Sequence, residues 1–293
     1  MEKINLHVSK EFILEEKLYE NDIAKSRVEA VKDVLLERHI ILKTLAYENN
    51  QQKNIIMQEI RNQVLLEKYT EYIPHIYNVY DDKNKREIVI EMQKIEGKSL
   101  RQLIEESRNK QKNNDWYRIT YELYLRICET MANIHKAQGF VHKDLKPENI
   151  IINRNRRPEA VYIIDFGISG PGMNKGVGTE RYMAPEQRGG MNKFQVRQWT
   201  DVFALGQIAI EMFTGNTLAY GKDLIADPMG NDWLKKPDLS SLGGTRYPQL
   251  GKVIERAVSM DPAVRFINAE KLRSALIVNK QQRKGDGQWK TKK

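Results

Sequence analysis

Apolar residues in the first hundred positions come in short runs separated by charged residues. Branched and aromatic side chains in runs of this length favour β-strands. The runs are FIL at 12–14, VEAV at 28–31, HIILKTL at 39–45 and IVIEM at 88–92. Between them, Ile56, Ile60 and Val64 recur every four residues, a spacing that indicates one face of a helix. This part of the chain is therefore predicted to be β-rich with one helix.

The pattern after residue 115 is mostly helical. Residues 116–137 are predicted to form an amphipathic helix, because apolar residues repeat at helical spacing at the following positions: Ile119, Leu123, Ile127, Met131 and Ile134. IIIN at 150–153 and VYIID at 161–165 flank a polar segment, which is typical of a hairpin. From Val202 to Phe213 almost every residue is apolar, so this helix should be buried on all sides.

Strands with one helix, followed by mostly helices, indicate an α+β fold with a small β-rich lobe and a larger helical lobe. We expect one domain over 10–278, with an N-lobe at about 10–92 and a C-lobe at about 93–278. Hydrophobic content of 40% and charged content of 30% are those of an ordinary globular protein.

No run of about 18 apolar residues is present, so no membrane span is expected. The N-terminus does not resemble a secretory signal. The single cysteine, Cys128, excludes an internal disulfide and fits a reducing compartment, so a cytoplasmic location is expected. Since Cys128 lies in an apolar helical stretch, a buried thiol is favoured over a reactive one.

The charge is concentrated at the end of the sequence. Residues 279–293 carry six basic residues and one acid, and so hold +5 of the net charge of +9. Such a basic tail is more often a flexible, solvated end or linker than a binding element. Attraction to nucleic acid or to a membrane surface is the alternative, and no specific nucleic-acid partner is expected.

Three short motifs follow one another in the second half. VHKDLKPEN at 141–149 lies in a loop, and Asp165-Phe166-Gly167 comes directly after a predicted strand. GTERYMAPE occupies 178–186. In this order and at these separations, the motifs resemble the eukaryotic-like (Hanks-type) serine/threonine protein kinase family, over about Phe12 to Leu276. Pro-Glu-Gln at the end of the third motif resembles bacterial members.

The resemblance implies a bilobal protein-kinase fold, with ATP and Mg²⁺ as cofactors and protein hydroxyls as substrates. Phosphoryl transfer depends on positioning and on charge neutralisation. Asp144 would orient the attacking hydroxyl and accept its proton, while Asn149 and Asp165 would ligate Mg²⁺, which prefers hard oxygen ligands. Lys146 would contact the transferring phosphate and pair with Thr179, as in serine/threonine rather than tyrosine kinases.

Further site residues follow from the same resemblance. Lys43 would grip the ATP phosphates and pair with Glu59, with Glu67 as the weaker alternative partner. Ile41 and Ile151 would sandwich adenine.

The hinge would begin at Glu91 and end at Ile95, and either Met92 or Ile90 would lie at the back of the nucleotide pocket. Ile90 is favoured, because the Met92 register would send Glu91 into an apolar strand, where an acid is costly.

Structural roles are implied for other motif residues. Asp201 should hydrogen-bond the backbone of the catalytic loop, which is the VHKDLKPEN segment at 141–149, and Arg265 should form a buried ion pair with Glu186. His142 should pack near Phe166 instead of acting as a base.

The sequence departs from the family pattern in two places. In the region of the glycine-rich phosphate loop, Tyr19, Asn21 and Ala24 replace glycines, which allow backbone N–H groups to approach phosphates closely. Lys143 stands where many members have the arginine that clamps an activation-loop phosphate, and lysine cannot copy that bidentate contact. Ser169 is the only hydroxyl between Asp165 and Thr179. We therefore expect activity without phosphorylation of this loop.

Three hypotheses follow. The first is an ATP-dependent serine/threonine protein kinase. The second is a pseudokinase acting as a nucleotide-binding scaffold or sensor, and the third is a small-molecule kinase. The third ranks lowest because such enzymes usually lack the 178–186 motif. The physiological substrate and the oligomeric state are not determined by the sequence.

Overall fold

The computed structural model describes residues 10–21, 26–137, 139–156, 159–166, 178–188, 195–216 and 239–288. The chain forms two compact units. The first contains the described residues up to Glu67 together with Pro74–Ile95, and the second contains Lys68–Ile73 and the described residues from Glu96 onwards. The division near Ile95 falls three residues beyond the predicted lobe boundary, and the short segment Lys68–Ile73 joins the second unit.

The first unit contains a five-stranded antiparallel sheet with the strand order β1-β2-β3-β5-β4. Its strands are β1 Phe12–Asn21, β2 Ser26–Asp33, β3 Arg38–Ala46, β4 Ile76–Asp82 and β5 Glu87–Gln93. The apolar runs predicted four of these strands. β4 was not predicted, because Asn78 divides Ile-Tyr from Val-Tyr and leaves two apolar pairs instead of one run.

Helix α1 spans Asn50–Leu66 and starts earlier than the apolar pattern suggested, because the Asn49 side chain accepts a hydrogen bond from Gln52 N at 2.9 Å. Ile60 and Leu66 are buried, but Val64 is 46% exposed, which corrects the predicted helix face. A strict spacing of four residues advances by about 40° per step on a helix with 3.6 residues per turn, so it leaves the buried face.

α1 packs on one face of the sheet. Ile60 forms a buried apolar cluster with Ile88 and Ile90 of β5, together with Ile76 of β4 and Tyr47 after β3. The core of the first unit therefore lies between α1 and the central strands.

The second unit is mainly helical and carries a small three-stranded sheet of order β6-β7-β8. Its strands are β6 Lys98–Ser99, β7 Ile150–Asn153 and β8 Ala160–Ile163. Its helices are α2 Leu100–Ser107, α3 Asn114–Ile134, α4 Gln198–Thr214, α5 Leu250–Ala257 and α6 Ala269–Gln288. The antiparallel pairing of β7 with β8 confirms the predicted hairpin.

Both predicted helices of this unit are present. α4 is buried on all sides from Thr200 to Phe213, as its apolar sequence predicted. In α3, Ile119 is 51% exposed, whereas the later apolar positions are buried. Burial also raises the pKa of the Cys128 thiol to about 12, so this thiol is a core residue at neutral pH.

The last helix closes the unit. Leu276 of α6 is fully buried, and its carbonyl accepts a 2.7 Å hydrogen bond from the Tyr121 hydroxyl of α3. α6 continues to Gln288, so the segment 279–293, which we expected to be flexible, begins inside a helix. Among the described helices, none has the length and apolar character needed to cross a bilayer.

Candidate active site

Asp201, in the first turn of α4, anchors the loop between α3 and β7. Its two carboxylate oxygens accept hydrogen bonds from the backbone N–H groups of His142 at 2.8 Å and Lys143 at 2.9 Å. This confirms the predicted role of Asp201. Because α4 is buried from Thr200 to Phe213, Asp201 anchors the loop to the core of the unit.

His135, at the end of α3, completes this anchor and was not identified from the sequence. Its Nε2 lies 2.9 Å from an Asp201 carboxylate oxygen, and its Nδ1 accepts a 3.1 Å hydrogen bond from the backbone N–H of Ala269. Burial alone would raise the pKa of Asp201, but hydrogen bonds from His135 and from the loop backbone lower it below its ordinary value. Asp201 is therefore a stable anion that fixes the loop. No local motif marks His135, since its partners lie 66 and 134 residues away.

Asp144 has its carboxylate oriented on both sides. One oxygen accepts a hydrogen bond from Thr179 N at 2.7 Å, and the other lies 3.0 Å from Lys146 Nζ. Lys146 Nζ also donates to the Thr179 hydroxyl at 3.0 Å, which confirms the predicted Lys146–Thr179 contact. Asp144, Lys146 and Thr179 thus form one cluster that joins the loop to the segment starting at Gly178.

Asn149 is tied to the same loop. Its Nδ2 donates to the Asp144 carbonyl at 3.0 Å, so the loop orients the amide, and Oδ1 is the side-chain atom that could ligate a metal ion. Its own carbonyl accepts from Ile164 N at 2.9 Å, which places Asp165 one residue from this contact. Asp165 is exposed and has a φ of +62°. An oriented amide oxygen and an exposed carboxylate are hard oxygen donors of the type Mg²⁺ prefers.

Asn149 and Asp165 would provide only two protein ligands, fewer than a metal site that a protein forms entirely from its own side chains. Among the described residues, no group of three or more His, Cys, Asp or Glu side chains is arranged to hold a metal ion. Mg²⁺ usually takes only one or two protein ligands and completes its shell with water and substrate phosphates. The donors present are consistent with that arrangement.

His142 packs against Phe166, as predicted. Their ring centroids are 5.2 Å apart, and His142 is fully buried. Burial lowers the pKa of His142 below its ordinary value, so its imidazole is neutral at pH 7. A buried ring packed in this way has a structural role.

The predicted ion pair between Glu186 and Arg265 is also present. The guanidinium meets both carboxylate oxygens, at 2.8 Å and 3.0 Å, and both side chains are fully buried. The Thr200 hydroxyl donates a further 2.7 Å hydrogen bond to Glu186. The pair therefore ties the end of the 178–188 segment to the core.

A second polar cluster borders the catalytic loop and was not predicted. Arg101 of α2 pairs with Glu148 at 2.8 Å and with Glu211 of α4. It also donates to the Tyr182 hydroxyl at 2.6 Å, which in turn donates to Glu211. Burial alone would lower the pKa of Arg101, but its hydrogen bonds to the two carboxylates raise it above the ordinary value. Of these residues, only Tyr182 and Glu148 lie within the sequence motifs, so the sequence could not predict that the four side chains meet.

In the first unit, Ile41 and Lys43 lie on β3. Lys43 pairs in register with Ile90 of β5, so both side chains point to the same sheet face. Ile90 packs in the cluster that contains Ile60, the neighbour of Glu59 on α1. Lys43 is thus on the sheet face that α1 covers, and the Lys43–Glu59 pair stays a prediction.

The alternative partner, Glu67, is engaged elsewhere. Its carboxylate lies 2.8 Å from His75 Nδ1 and accepts a 3.2 Å hydrogen bond from the backbone N–H of Ile76. These contacts fix the entry into β4, and they favour Glu59 for the role of lysine partner.

The reason for preferring Ile90 at the back of the pocket was wrong. β5 runs to Gln93, and Glu91 lies inside it, fully buried. Its carboxylate accepts hydrogen bonds from Lys10, Asn78 and Tyr80, all within 3.0 Å. These partners offset the desolvation cost on which the preference rested.

The strand register also bears on this choice. Ile41 pairs with Met92, so these two residues share the sheet face of Lys43. Ile90 lies on the same face, opposite Lys43, so the choice between Met92 and Ile90 at the back of the nucleotide pocket stays a prediction. The side chain of Glu91 occupies the opposite sheet face, and its role in nucleotide binding stays a prediction.

Other predicted features are only partly within the described residues. Tyr19 and Asn21 lie in β1, where Asn21 Nδ2 donates to the Tyr19 hydroxyl at 3.0 Å, while Ala24 lies outside the described residues. Ile151 lies in β7 and is half-buried. Ser169 and Gly167 also lie outside the described residues.

Comparisons with known proteins agree with this geometry. The protein kinase domain family matches residues 24–268. The chain is 29% identical over 251 residues to a probable serine/threonine-protein kinase of Clostridium acetobutylicum, covering 82% of this chain and 36% of that protein. It is 31% identical over 206 residues to the serine/threonine-protein kinase PknD of Mycobacterium tuberculosis, covering 67% of this chain and 29% of that protein.

Among solved structures, a mutant form of the PknI kinase domain of Mycobacterium tuberculosis matches with a TM-score of 0.64 at 18% identity, covering 95% of this chain and 99% of that one. This likeness shows the fold. The chain spans well under half the length of the curated bacterial relatives that it matches. With the family match extending over most of its length, the chain belongs to the protein kinase domain family.

Proposed function

We propose that this chain transfers the γ-phosphate of ATP to serine or threonine hydroxyls of protein substrates. The observation that carries this proposal is the fixed carboxylate of Asp144, oriented by Thr179 N–H and by Lys146. Each carboxylate oxygen has a second lone pair, so Asp144 can still accept a substrate proton. The alignment supplies the positioning on which phosphoryl transfer depends.

In the proposed reaction, the substrate oxygen forms a bond to the γ-phosphorus as the bond from phosphorus to the β–γ bridging oxygen breaks. The hydroxyl proton passes to Asp144, and ADP leaves. Lys146, held by Asp144 and Thr179, would neutralise charge on the transferring group. Bound Mg²⁺, held by Asn149 and Asp165, would supply further charge neutralisation on the phosphates.

Nucleotide binding is assigned mainly to the first unit. Lys43, paired with Glu59, would contact phosphates, while Ile41, Ile151 and the neighbourhood of Glu91 would contact adenine. Tyr19 and Asn21 in place of glycines should limit close approach of backbone N–H groups to phosphates. Weak ATP affinity is therefore the expected consequence.

Activity would not need phosphorylation of the activation loop. Lys143 is buried, and a lysine lacks the bidentate fork that binds phosphate. The 178–188 segment already has unphosphorylated links to the core through Glu186–Arg265 and Thr179–Asp144. These contacts support a segment ordered by the chain itself.

The test is incubation of the purified chain with γ-labelled ATP, Mg²⁺ and a panel of generic proteins, beside D165A and D144N variants. Label transferred by the wild type alone supports the kinase. Thermal stabilisation by ATP without label in any protein would instead support the nucleotide-binding pseudokinase that the altered phosphate loop suggests.

A second measurement tests phosphorylation independence. Phosphatase-treated and untreated enzyme should show the same kcat, and mass spectrometry of active enzyme should find the loop unmodified. A requirement for stoichiometric loop phosphate would overturn that part of the proposal.

A further inference from the structure

The side chain of Gln187 bridges two segments beside the candidate catalytic residues. It is 2% exposed. Its Oε1 accepts a 3.0 Å hydrogen bond from the backbone N–H of Ala184, and its Nε2 donates a 2.8 Å hydrogen bond to the carbonyl of Lys143. The Ala184 hydrogen bond orients the amide within the 178–188 segment, and the Lys143 hydrogen bond joins that segment to the catalytic loop.

The residue at the far end of this bridge has an unfavourable backbone conformation. Lys143 has a φ of +71°, a left-handed value that lysine rarely adopts. Lys143 directly precedes Asp144, so the carbonyl that Gln187 holds belongs to the peptide bond that joins these two residues. A conformation of this kind persists only where the surrounding contacts determine it.

Gly178 lies close to the hydrogen bond between Gln187 and Lys143. A Cβ added to Gly178 would lie 3.0 Å from the Lys143 carbonyl oxygen and 3.5 Å from Gln187 Nε2, and Gly178 itself has a φ of +135°. The next residue, Thr179, donates its N–H to Asp144. The amide bridge and the Asp144–Thr179 contact are thus neighbouring links between the same two segments.

We propose that Gln187 is a positioning residue, which holds the Lys143 peptide in its left-handed conformation and thereby fixes Asp144 for catalysis. In this role, the neutral amide of Gln187 connects the 178–188 segment to the catalytic loop without a phosphate group. The inference rests on the proposed kinase function, and it adds a residue to which that function assigns no role.

The test is Q187M, which preserves side-chain length and removes both hydrogen bonds. Q111M makes the same chemical change at an exposed loop position of the same unit and is the matched control. Misplacement of a reacting group by about 1 Å can cost about 100-fold in rate, so we expect Q187M to lower kcat by about 10-fold to 100-fold. The KM for ATP should change by less than about threefold. The melting temperature of Q187M should fall by several degrees below that of Q111M, because two buried backbone groups lose a partner, so both variants are assayed well below their melting temperatures.

Hydrogen exchange of 142–145 and 178–184 provides a readout that does not depend on activity. Q187M should exchange faster than wild type in both segments, and Q111M should not. A kcat within twofold of wild type, or unchanged exchange in 142–145, would overturn the inference. If the wild type itself transfers no phosphate, the proposed function fails, and the exchange comparison still decides the role of Gln187.

Q187E keeps the inference testable should Q187M fold poorly. Burial raises the pKa of a carboxyl placed at this position, and its protonated form can donate to the Lys143 carbonyl as the amide does. The ratio of its kcat to that of wild type should therefore increase as the pH is lowered. A ratio that does not change with pH would argue against hydrogen bonding by Gln187 as the cause.

Discussion

Glu91 in the first unit and Glu186 in the second are both fully buried glutamates, yet they are neutralised differently. Glu186 meets a fully buried arginine, Arg265, through two hydrogen bonds. Glu91 meets Lys10, whose side chain is 22% exposed, and two neutral donors, Asn78 and Tyr80. The charge of Glu186 is balanced by one buried cation. The charge of Glu91 is balanced by a partly exposed cation and two neutral hydrogen-bond donors.

The difference shows that the free-energy cost of burying a carboxylate can be offset by one partner or shared among several. Removal of one partner from a fully buried pair leaves an uncompensated charge. Around Glu91, three donors share the task, and a cation near solvent can be replaced in part by water. We therefore expect the Glu186 pair to fail abruptly on substitution and the Glu91 cluster to weaken gradually.

The largest effect is expected from R265M. Loss of one member of a buried ion pair costs about 3–5 kcal/mol, so the second unit should unfold at markedly lower urea concentration. Tryptophan fluorescence reports on this unit through Trp116 and Trp199. The double variant E186M/R265M should recover much of the loss, because no unpaired charge is left. A loss below about 1 kcal/mol in R265M would contradict the comparison.

A smaller effect is expected from K10M. Glu91 would retain Asn78 and Tyr80, so the first unit should lose about 1–3 kcal/mol, the typical cost of a lost hydrogen bond to a charged group. Native-state hydrogen exchange in β4 and β5 measures this loss. K17M is the control, because the Lys17–Glu20 pair is exposed and should contribute at most about 1 kcal/mol. Equal effects of the two substitutions would refute the role assigned to Lys10.

Y80F should have a still smaller effect. The hydroxyl of Tyr80 donates a 2.7 Å hydrogen bond to Glu91, but the side chain is 41% exposed, so water can take its place. We expect a loss of about 1 kcal/mol in the same exchange measurement. A loss as large as that of K10M would show that the neutral donors, and not the cation, dominate.

The pH dependence of stability should show the smallest effect. Burial would raise the pKa of Glu91, but hydrogen bonds from Lys10, Asn78 and Tyr80 lower it below 4.5. A depressed carboxyl pKa gives stability that is present above pH 4.5 and is lost as the pH falls through the folded-state pKa.

Urea midpoints followed by circular dichroism between about pH 3 and pH 6 should fall more steeply with acid in the wild type than in E91Q. Identical acid profiles would mean that the carboxylate of Glu91 does not contribute through its charge.

Local patterns in the sequence predicted much of the fold. Apolar runs located four strands of the first unit, and the continuous apolar stretch located α4. The Val64 position was wrong because a repeat of four does not follow the helix face over several turns. β4 was missed because this edge strand contains only two short apolar pairs, separated by Asn78.

The motifs identified the residues of the Asp144 cluster, because most of them are close together along the chain, and the catalytic roles of these residues stay predictions. Asp144, Lys146 and Asn149 lie within one loop, so spacing alone restricts where their side chains can go. The contacts of Asp201, Glu186 and Thr179 followed from the family resemblance. His135 and Arg101 carry no such signal, since their partners lie on other elements. Gln187 stands at the end of a motif, but its contact with the Lys143 carbonyl spans 44 residues and could not be predicted from spacing.

The sequence by itself determined the family, the change from a β-rich part to a mostly helical part, and the residue types that carry the proposed chemistry. The tertiary structure decided which buried charges are tolerated. Lys10 lies 81 residues from Glu91, so only folding could reveal the cation that stabilises an acid inside β5. Periodicity and motifs record neighbours along the chain, whereas the energy of a buried charge depends on neighbours in space.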